Sequence, residues 1–369
     1  MRIAGIVTIH DVPNYGSVLQ AYATQQVLLK CGYKSIFIDY NRYNKWRINN
    51  GGARKGNPIR SFLRMLGLKA DHRKAIKLKV FKRKYLKLTK KFHDLDALRI
   101  YDWSDYDLFV VGSDQVWNTN YLQGDSYFLL SFVPENIKKI SISSSFALKK
   151  LPECFEDKFK KYLSRFSSIS VREQYGVAII KEQLNIPTPV KLLLDPTLLL
   201  SHKEWLNLLG TKTPYQGGKY ILFYMWAYAF EPRPYIYEVV KYFQNKLNCR
   251  VIALEGCYNT CPKDLKMENW SDSSIPDFLN LFANAELVIT SSFHGSAFAL
   301  NFGRPLISII PNTGDDRQSS LLNSLGVDNC AVKLGTDIDK INPYYDILAQ
   351  QSKLEDIRKE NLRWISDHC

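Results

Sequence analysis

The chain has 369 residues, 46% of them hydrophobic and 13% aromatic, and carries a formal net charge of +14. That length exceeds one ordinary core and suits two domains, and the composition excludes a disordered chain. No run approaches the about 20 apolar residues needed to cross a bilayer. The apolar start is short and interrupted by Gly and Thr, so it reads as a buried strand rather than a secretory segment and predicts a cytoplasmic protein.

Strand-like apolar runs alternate with helix-like segments along most of the chain, which predicts α/β architecture with parallel sheets. A strand over 3–9 leads into a helix over 17–30, with Ser17 as its cap and Gly32 as its stop. A strand follows over 35–40. Between Arg42 and Lys91 stand 18 Lys and Arg against one acid, Asp71, a net of +17 that exceeds the excess of the whole chain. The segment 42–95 is therefore expected to be a basic helical insertion, with apolar positions such as Ile59, Phe62, Leu63, Leu66, Ile76, Val80 and Tyr85 on one side. Strands over 107–111, 139–144, 168–171 and 190–195 follow, with helices over 153–166 and 173–184.

A stretch punctuated by Gly210, Pro214, Gly217 and Gly218 predicts a hinge near 200–217. The pattern then restarts, with strands over 219–226, 250–254, 286–290 and 305–310. Helices are expected over 235–247, 276–284, 296–302, 318–325 and 354–365. The expected domains are an N-terminal Rossmann-like lobe over 1–205, a C-terminal Rossmann-like lobe over 217–345, and a terminal helix over 346–369 available to pack on the first lobe. By topological analogy the fold class is α/β and GT-B-like, with the active site between the lobes. The seven cysteines are scattered. Cys257 and Cys261 form a CxxxC pair without the second pair or nearby His of a metal site, so no metal is expected and reduced thiols are.

Parallel sheets bind ligands beyond the carboxyl ends of their strands, so the residues after each strand are the candidates. After the first strand stand Asn14, Tyr15, Gly16 and Ser17, with Gln20 one turn on. They fit an anion at a helix start and equally a plain capped turn. After the 107–111 strand, Gly112, Ser113, Asp114, Gln115, Trp117 and Asn118 suit a sugar: the carboxylate accepts from hydroxyls and the indole stacks on a C–H face. An Asp cap with a core Trp fits the same residues. Ser144 and Ser145 end the next strand. Arg172 offers a fork for phosphate or carboxylate, or an ordinary ion pair. Asp195-Pro196-Thr197 reads as a domain-ending turn. In the second half, Ser291, Ser292, Phe293, His294 and Gly295 join a strand to a helix. His294 combines proton transfer near neutral pH with a helix start that favours an anion, or else satisfies a local hydrogen bond. His10 is the second histidine at a strand end, and Arg317 adds a cation. The absence of G-x-S-x-G, Walker A and G-x-G-x-x-G patterns, and of a D-x-D set between apolar strands, weakens hydrolase, kinase, simple dehydrogenase and metal-dependent transferase readings.

Together, N-x-G-S-x-x-Q-A-Y (14–22), G-S-D-Q-x-W-N (112–118), S-V-R-E (170–173), L-D-P-T (194–197) and S-S-F-H-G (291–295) resemble the polysaccharide pyruvyl transferases over about residues 10–310. The resemblance implies a GT-B-like fold and a reaction that places pyruvate from phosphoenolpyruvate, as a cyclic ketal, across two sugar hydroxyls, with no resident cofactor. It implies that His294 is the active-site histidine and that Arg172 contacts the donor. Donor contacts are expected from Asn14, Gly16, Ser17, Ser144, Ser145, Ser291, Ser292, Gly295 and Arg317, and acceptor contacts from Tyr15, Gln20, Ser113, Asp114, Gln115 and Trp117. Some members carry Arg where this chain has Ser292, which makes Arg317 the candidate replacement. The expected partners are phosphoenolpyruvate, a sugar acceptor on a lipid-linked oligosaccharide, and anionic membrane reached through 42–93. A solvated lid is the alternative reading of that segment, and no nucleic-acid motif accompanies its charge. The alternative functions are a GT-B glycosyltransferase using a nucleotide sugar and a non-catalytic glycan-binding protein.

Overall fold

The computed structural model describes residues 2–40, 70–210, 215, 217–227, 230–255, 260–313 and 316–369. The insertion's first part, with Ile59, Phe62, Leu63 and Leu66, lies outside the described residues, as does Cys257 of the CxxxC pair. The chain divides into two units. Unit 1 comprises 1–72, 79–196 and 362–369, and unit 2 comprises 73–78 and 197–361.

Unit 1 begins with β1 (Arg2–Val7), α1 (Tyr15–Lys30) and β2 (Tyr33–Phe37). After helix α2 (Ala70–Tyr85) come β3 (Leu108–Val111) and β4 (Lys138–Ser141). The sheet order is β2-β1-β3-β4, with every pairing parallel. Helix α3 (Glu156–Leu163) precedes a parallel pair, β5 (Ile169–Val171) and β6 (Val190–Leu192), tied to the main sheet by bridges Ile140–Ser168 and Ser144–Val171. The four residues of β3, Leu-Phe-Val-Val, are buried on both faces, as a central parallel strand requires. Strand order reverses between β1 and β3, which opens a crevice at their carboxyl ends.

Unit 2 is a six-stranded parallel sheet in the order β12-β11-β10-β7-β8-β9. Its strands are β7 (Tyr220–Tyr224), β8 (Arg250–Leu254), β9 (Glu268–Asn269), β10 (Leu287–Thr290), β11 (Leu306–Ile310) and β12 (Ala331–Lys333). The helices are α4 (Tyr235–Leu247), α5 (Ile275–Asn284), α6 (Phe293–Asn301), α7 (Asp316–Leu325) and α8 (Ile347–His368). Ser274 caps α5 in a full capping box with Asp277. Here the order reverses between β7 and β10.

The division falls at 196/197, ahead of the Gly- and Pro-rich stretch where a hinge is expected. Side chains of unit 2 hold the following segment: Asn301 donates to the carbonyls of Thr197 (2.9 Å) and Leu200 (2.8 Å), and Arg358 to that of Leu198 (2.8 Å). Most of α8 therefore counts with unit 2, and only 362–369 with unit 1. The basic insertion also differs from expectation. Ile76 and Val80 are exposed, whereas Leu78, Phe81 and Lys74 are buried. Phe81 and Tyr85 pack edge-on against Tyr22 of α1, which fixes the buried face of α2. Lys74 forms a buried ion pair with Glu255, and Arg73 and Lys77 both reach Asp272, so part of the charge is neutralised within the fold. No helix among the described residues is long and apolar enough to cross a membrane.

Candidate functional site

The crevice of unit 1 lies where Thr8 ends one strand and Gly112-Ser113-Asp114 ends the next. Helix α1 starts at Tyr15, two residues before the expected position, because Asn14 rather than Ser17 is its cap: the Asn14 side chain accepts from Ser17 N at 3.0 Å. The Ser17 hydroxyl instead donates to Asp114 Oδ2 at 2.6 Å, and Asp114 Oδ1 accepts from Gln115 N at 2.8 Å. A carboxylate thus already occupies this helix start, and an arriving phosphate would meet like charge. The expected donor contacts from Asn14, Gly16 and Ser17 do not fit that arrangement.

Burial removes several other expected contacts. Gln20 has no solvent exposure and bonds to Thr8 Oγ1, Ile9 O and Ser17 O, which leaves it nothing to offer a sugar. Tyr15, Ser144 and Ser145 are also fully buried; Ser144 Oγ donates to Gly112 O at 2.9 Å. Trp117 is 1% exposed, donates to Phe128 O and packs on Phe146, so it is a core residue and cannot stack on a substrate. Ser113, fully buried, donates to Asp195 Oδ2 at 2.7 Å. His10 is buried edge-on against Phe37. Gln115 is half-buried, and Asp114 is buried at 9% exposure. Asp114 has φ +76°, a conformation Asp tolerates better than most residues and one often stored at functional sites.

Arg172 is the clearest departure. Its side chain is 1% exposed, and Nη1 sits 2.6 Å from Asp195 Oδ2, with Asp114 Oδ1 at 3.8 Å and Glu173 Oε2 at 4.0 Å. One guanidinium is ringed by three carboxylates, so its charge is committed inside unit 1. It is not placed to greet a phosphate or carboxylate from solvent. Asp195, read from sequence as a turn, is its main partner.

In unit 2 the strand order reverses beside the histidine turn. β10 pairs with β7 along Leu287–Thr290, so the ends of the two strands stand side by side. Thr290 Oγ1 donates to Tyr224 O at 2.5 Å and accepts from Ser292 N at 3.0 Å. Ser291 Oγ accepts from Trp226 N at 2.8 Å and donates to Trp226 O at 3.0 Å. Ser292 caps α6, accepting from Gly295 N. The helix starts at Phe293, three residues before the expected start, which puts His294 inside its first turn with 8% exposure and edge-on to Phe293. Gln318 Nε2 donates to Ser308 Oγ, midway along neighbouring β11, at 2.7 Å, and this holds the first turn of α7, with half-buried Arg317, against that strand.

Gly295 is fixed by space. A Cβ there would overlap Thr290 Oγ1, stand 2.9 Å from Thr290 Cβ and 3.0 Å from Tyr224 Cδ1. Thr290 is β-branched and doubly hydrogen-bonded, so it has little room to yield. Gly295→Ala is expected to cost about 1–3 kcal/mol and to displace the His294 turn, read as a lower unfolding temperature together with lost activity.

Among the described residues no group of three or more His, Cys, Asp or Glu is placed to hold a metal ion. The histidine turn of unit 2 thus combines a histidine, a helix start with its partial positive charge and hydroxyls, with Arg317 on the first turn of a neighbouring helix. This is a set suited to a small anion and a proton transfer.

Among solved structures, the S. aureus MnaA–UDP co-structure aligns with a TM-score of 0.53 at 10% identity, over 97% of this chain and 96% of that one. The UDP-GlcNAc 2-epimerase from Methanocaldococcus jannaschii aligns at 0.51 and 11% identity, over 97% and 100%. That from Neisseria meningitidis, bound to UDP-GlcNAc, gives 0.51 and 9% identity, over 98% and 93%. At such identities the likeness is one of fold, GT-B-like with α/β units and parallel sheets. No curated protein matches the chain. The family model for polysaccharide pyruvyl transferase matches residues 14–313, a span that contains the strand-end turns of both units, and the chain belongs to that family of transferases.

Proposed function

We propose that the protein transfers pyruvate from phosphoenolpyruvate to two hydroxyls of a sugar in a cell-surface polysaccharide or its lipid-linked precursor, forming a cyclic ketal. The observation that carries this reading is the position of His294, in the first helical turn at the point where the strand order of unit 2 reverses. C3 of phosphoenolpyruvate takes a proton, which makes C2 electrophilic. One hydroxyl oxygen bonds to C2, and the bond from C2 to the phosphate oxygen breaks. The second hydroxyl closes the ring, and the protons of the two hydroxyls balance the one taken by C3 and the one carried off by phosphate.

His294 delivers and collects protons in this scheme. The α6 start, the Ser292 hydroxyl and Arg317 hold the donor's negative charge, with Arg317 in place of the arginine some family members have at position 292, while Ser291, whose hydroxyl is committed to Trp226 O, shapes the turn. Asp114 and Gln115 are the groups of unit 1 suited to acceptor hydroxyls. The scheme needs no resident cofactor, only phosphoenolpyruvate as co-substrate. Phosphate release from phosphoenolpyruvate that requires a lipid-linked glycan supports it. Consumption of a nucleotide sugar instead supports a glycosyltransferase, and glycan binding without turnover of either donor supports a binding protein.

The same reading gives the basic insertion a role at anionic membrane, where lipid-linked acceptors reside. Lys79, Arg83, Lys84 and Lys87 are exposed beside exposed Val80, a basic face with an apolar centre. Each basic residue contributes about 1 kcal/mol at such a surface. Changing these four to Gln is expected to weaken binding to phosphatidylserine-containing vesicles by two to three orders of magnitude, about 4 kcal/mol, with little change on phosphatidylcholine alone. Unchanged co-sedimentation would remove the membrane role.

A further inference from the structure

Helix α1 ends at Lys30, and Cys31 caps it, its backbone N–H returning to carbonyls of the last turn. Helix α8 ends at His368, and Cys369 follows. Residues 362–369 count with unit 1, so both cysteines belong to that unit. Their side chains meet: the Cys369 thiol donates a hydrogen bond to the Cys31 sulfur. A cation from the sheet holds each backbone beside the contact. Arg2 of β1 donates to Cys31 O at 3.3 Å, and Lys138 of β4 donates to Cys369 O at 2.8 Å. Both thiols are free and half-buried, so a small solute reaches them.

The two sulfurs differ. The hydrogen bond from Cys369, with the charges of Arg2 and Lys30, holds the Cys31 thiol below its ordinary range, against burial and against the C-terminal end of α1, where an anion is disfavoured. Cys369, the donor, is pushed up. Burial also pushes up Cys249, Cys261 and Cys330. One sulfur that ionises beside one that keeps its proton is the division a nucleophile and its resolving partner need.

From this contact we propose that Cys31 and Cys369 are an oxidation site that takes hydroperoxides and closes to a disulfide, with Cys31 reacting first and Cys369 resolving it. The Cys31 thiolate attacks one peroxide oxygen and the O–O bond breaks. Cys31 becomes a sulfenic acid, and the departing hydroxide takes up the proton Cys31 had lost, forming water. The Cys369 sulfur then attacks the Cys31 sulfur, and its proton leaves with the sulfenic hydroxyl as a second water. The two sulfurs lose two electrons and the peroxide gains them. The bond ties the end of α8 to the turn between α1 and β2, within unit 1, and a dithiol reductant reverses it. The site stands apart from pyruvyl transfer: Arg2, Tyr33 and Lys138 begin β1, β2 and β4, whereas ligands bind beyond the other ends of such strands.

The test treats the reduced full-length protein with graded hydrogen peroxide, blocks remaining thiols with N-ethylmaleimide and maps its peptides without reduction. The expected product is a linked Cys31–Cys369 peptide pair lighter by two hydrogens, lost on addition of dithiothreitol, in a protein whose unfolding temperature has risen by about 5 °C. With Cys369→Ser, dimedone should trap a sulfenic acid on Cys31. With Cys31→Ser, Cys369 should stay unlabelled, and peroxide should leave the unfolding temperature where it was. No linked pair in wild type, equal linkage of either cysteine to exposed Cys154, or dimedone on Cys369 in place of Cys31 overturns the proposal. Linkage without any rise in unfolding temperature overturns the tie to α8.

Discussion

His294→Ala is expected to lower phosphate release from phosphoenolpyruvate about 10²- to 10⁴-fold while the unfolding temperature stays close to wild type, because a positioned general acid contributes on that scale. The side chain sits in the first turn of α6, and its removal leaves the Ser292 cap and the Thr290 hydrogen bonds intact. His294→Gln keeps a hydrogen-bonding side chain of similar reach but cannot shuttle a proton. It should fall almost as far as the alanine variant. A Gln variant that restored activity would assign His294 to holding the donor rather than to proton transfer. Full activity in both would remove the histidine from the reaction.

Arg172→Met should be the most destabilising single change in unit 1, by about 3–5 kcal/mol, because it leaves Asp195 buried without its cation. The guanidinium lies 2.6 Å from that carboxylate, and neither side chain has appreciable exposure. Pairing Arg172→Met with Asp195→Leu removes both charges and should recover a large part of the loss, since a buried ion pair contributes little over a well-packed apolar substitute. Thermal and denaturant unfolding read this directly. A donor-contacting arginine behaves otherwise: Arg172→Met would raise the phosphoenolpyruvate KM with stability unchanged, and the second substitution would rescue nothing. The three surrounding carboxylates favour the first outcome.

The architecture was legible because parallel strands buried on both faces leave continuous apolar runs. Leu-Phe-Val-Val of β3 and Leu-Val-Ile-Thr of β10 are readable without any partner in view. The histidine turn was readable for the same reason, since polar residues directly after such a run mark a strand end. What the sequence hid was direction and distance. Gly112–Asn118 announces a strand end, but nothing in it says that Trp117 turns inward to Phe146 while Asp114 stays at the edge. Arg172 finds Asp195 twenty-three residues downstream, a pairing set by β5 lying beside β6. The strand expected to run to Trp226 stops at Tyr224. The cap positions moved too. Asn14 and Ser292 start α1 and α6 earlier than expected, which closes one helix start on Asp114 and brings His294 into the other.

The most direct test of the central claim is the reaction run in heavy water with phosphoenolpyruvate and a lipid-linked glycan, followed by NMR of the glycan. Proton delivery to C3 at the His294 edge predicts a ketal methyl group bearing one solvent deuteron, formed in step with inorganic phosphate and absent with His294→Ala. A glycan that gains no ketal, or a ketal methyl free of solvent deuterium, would contradict it.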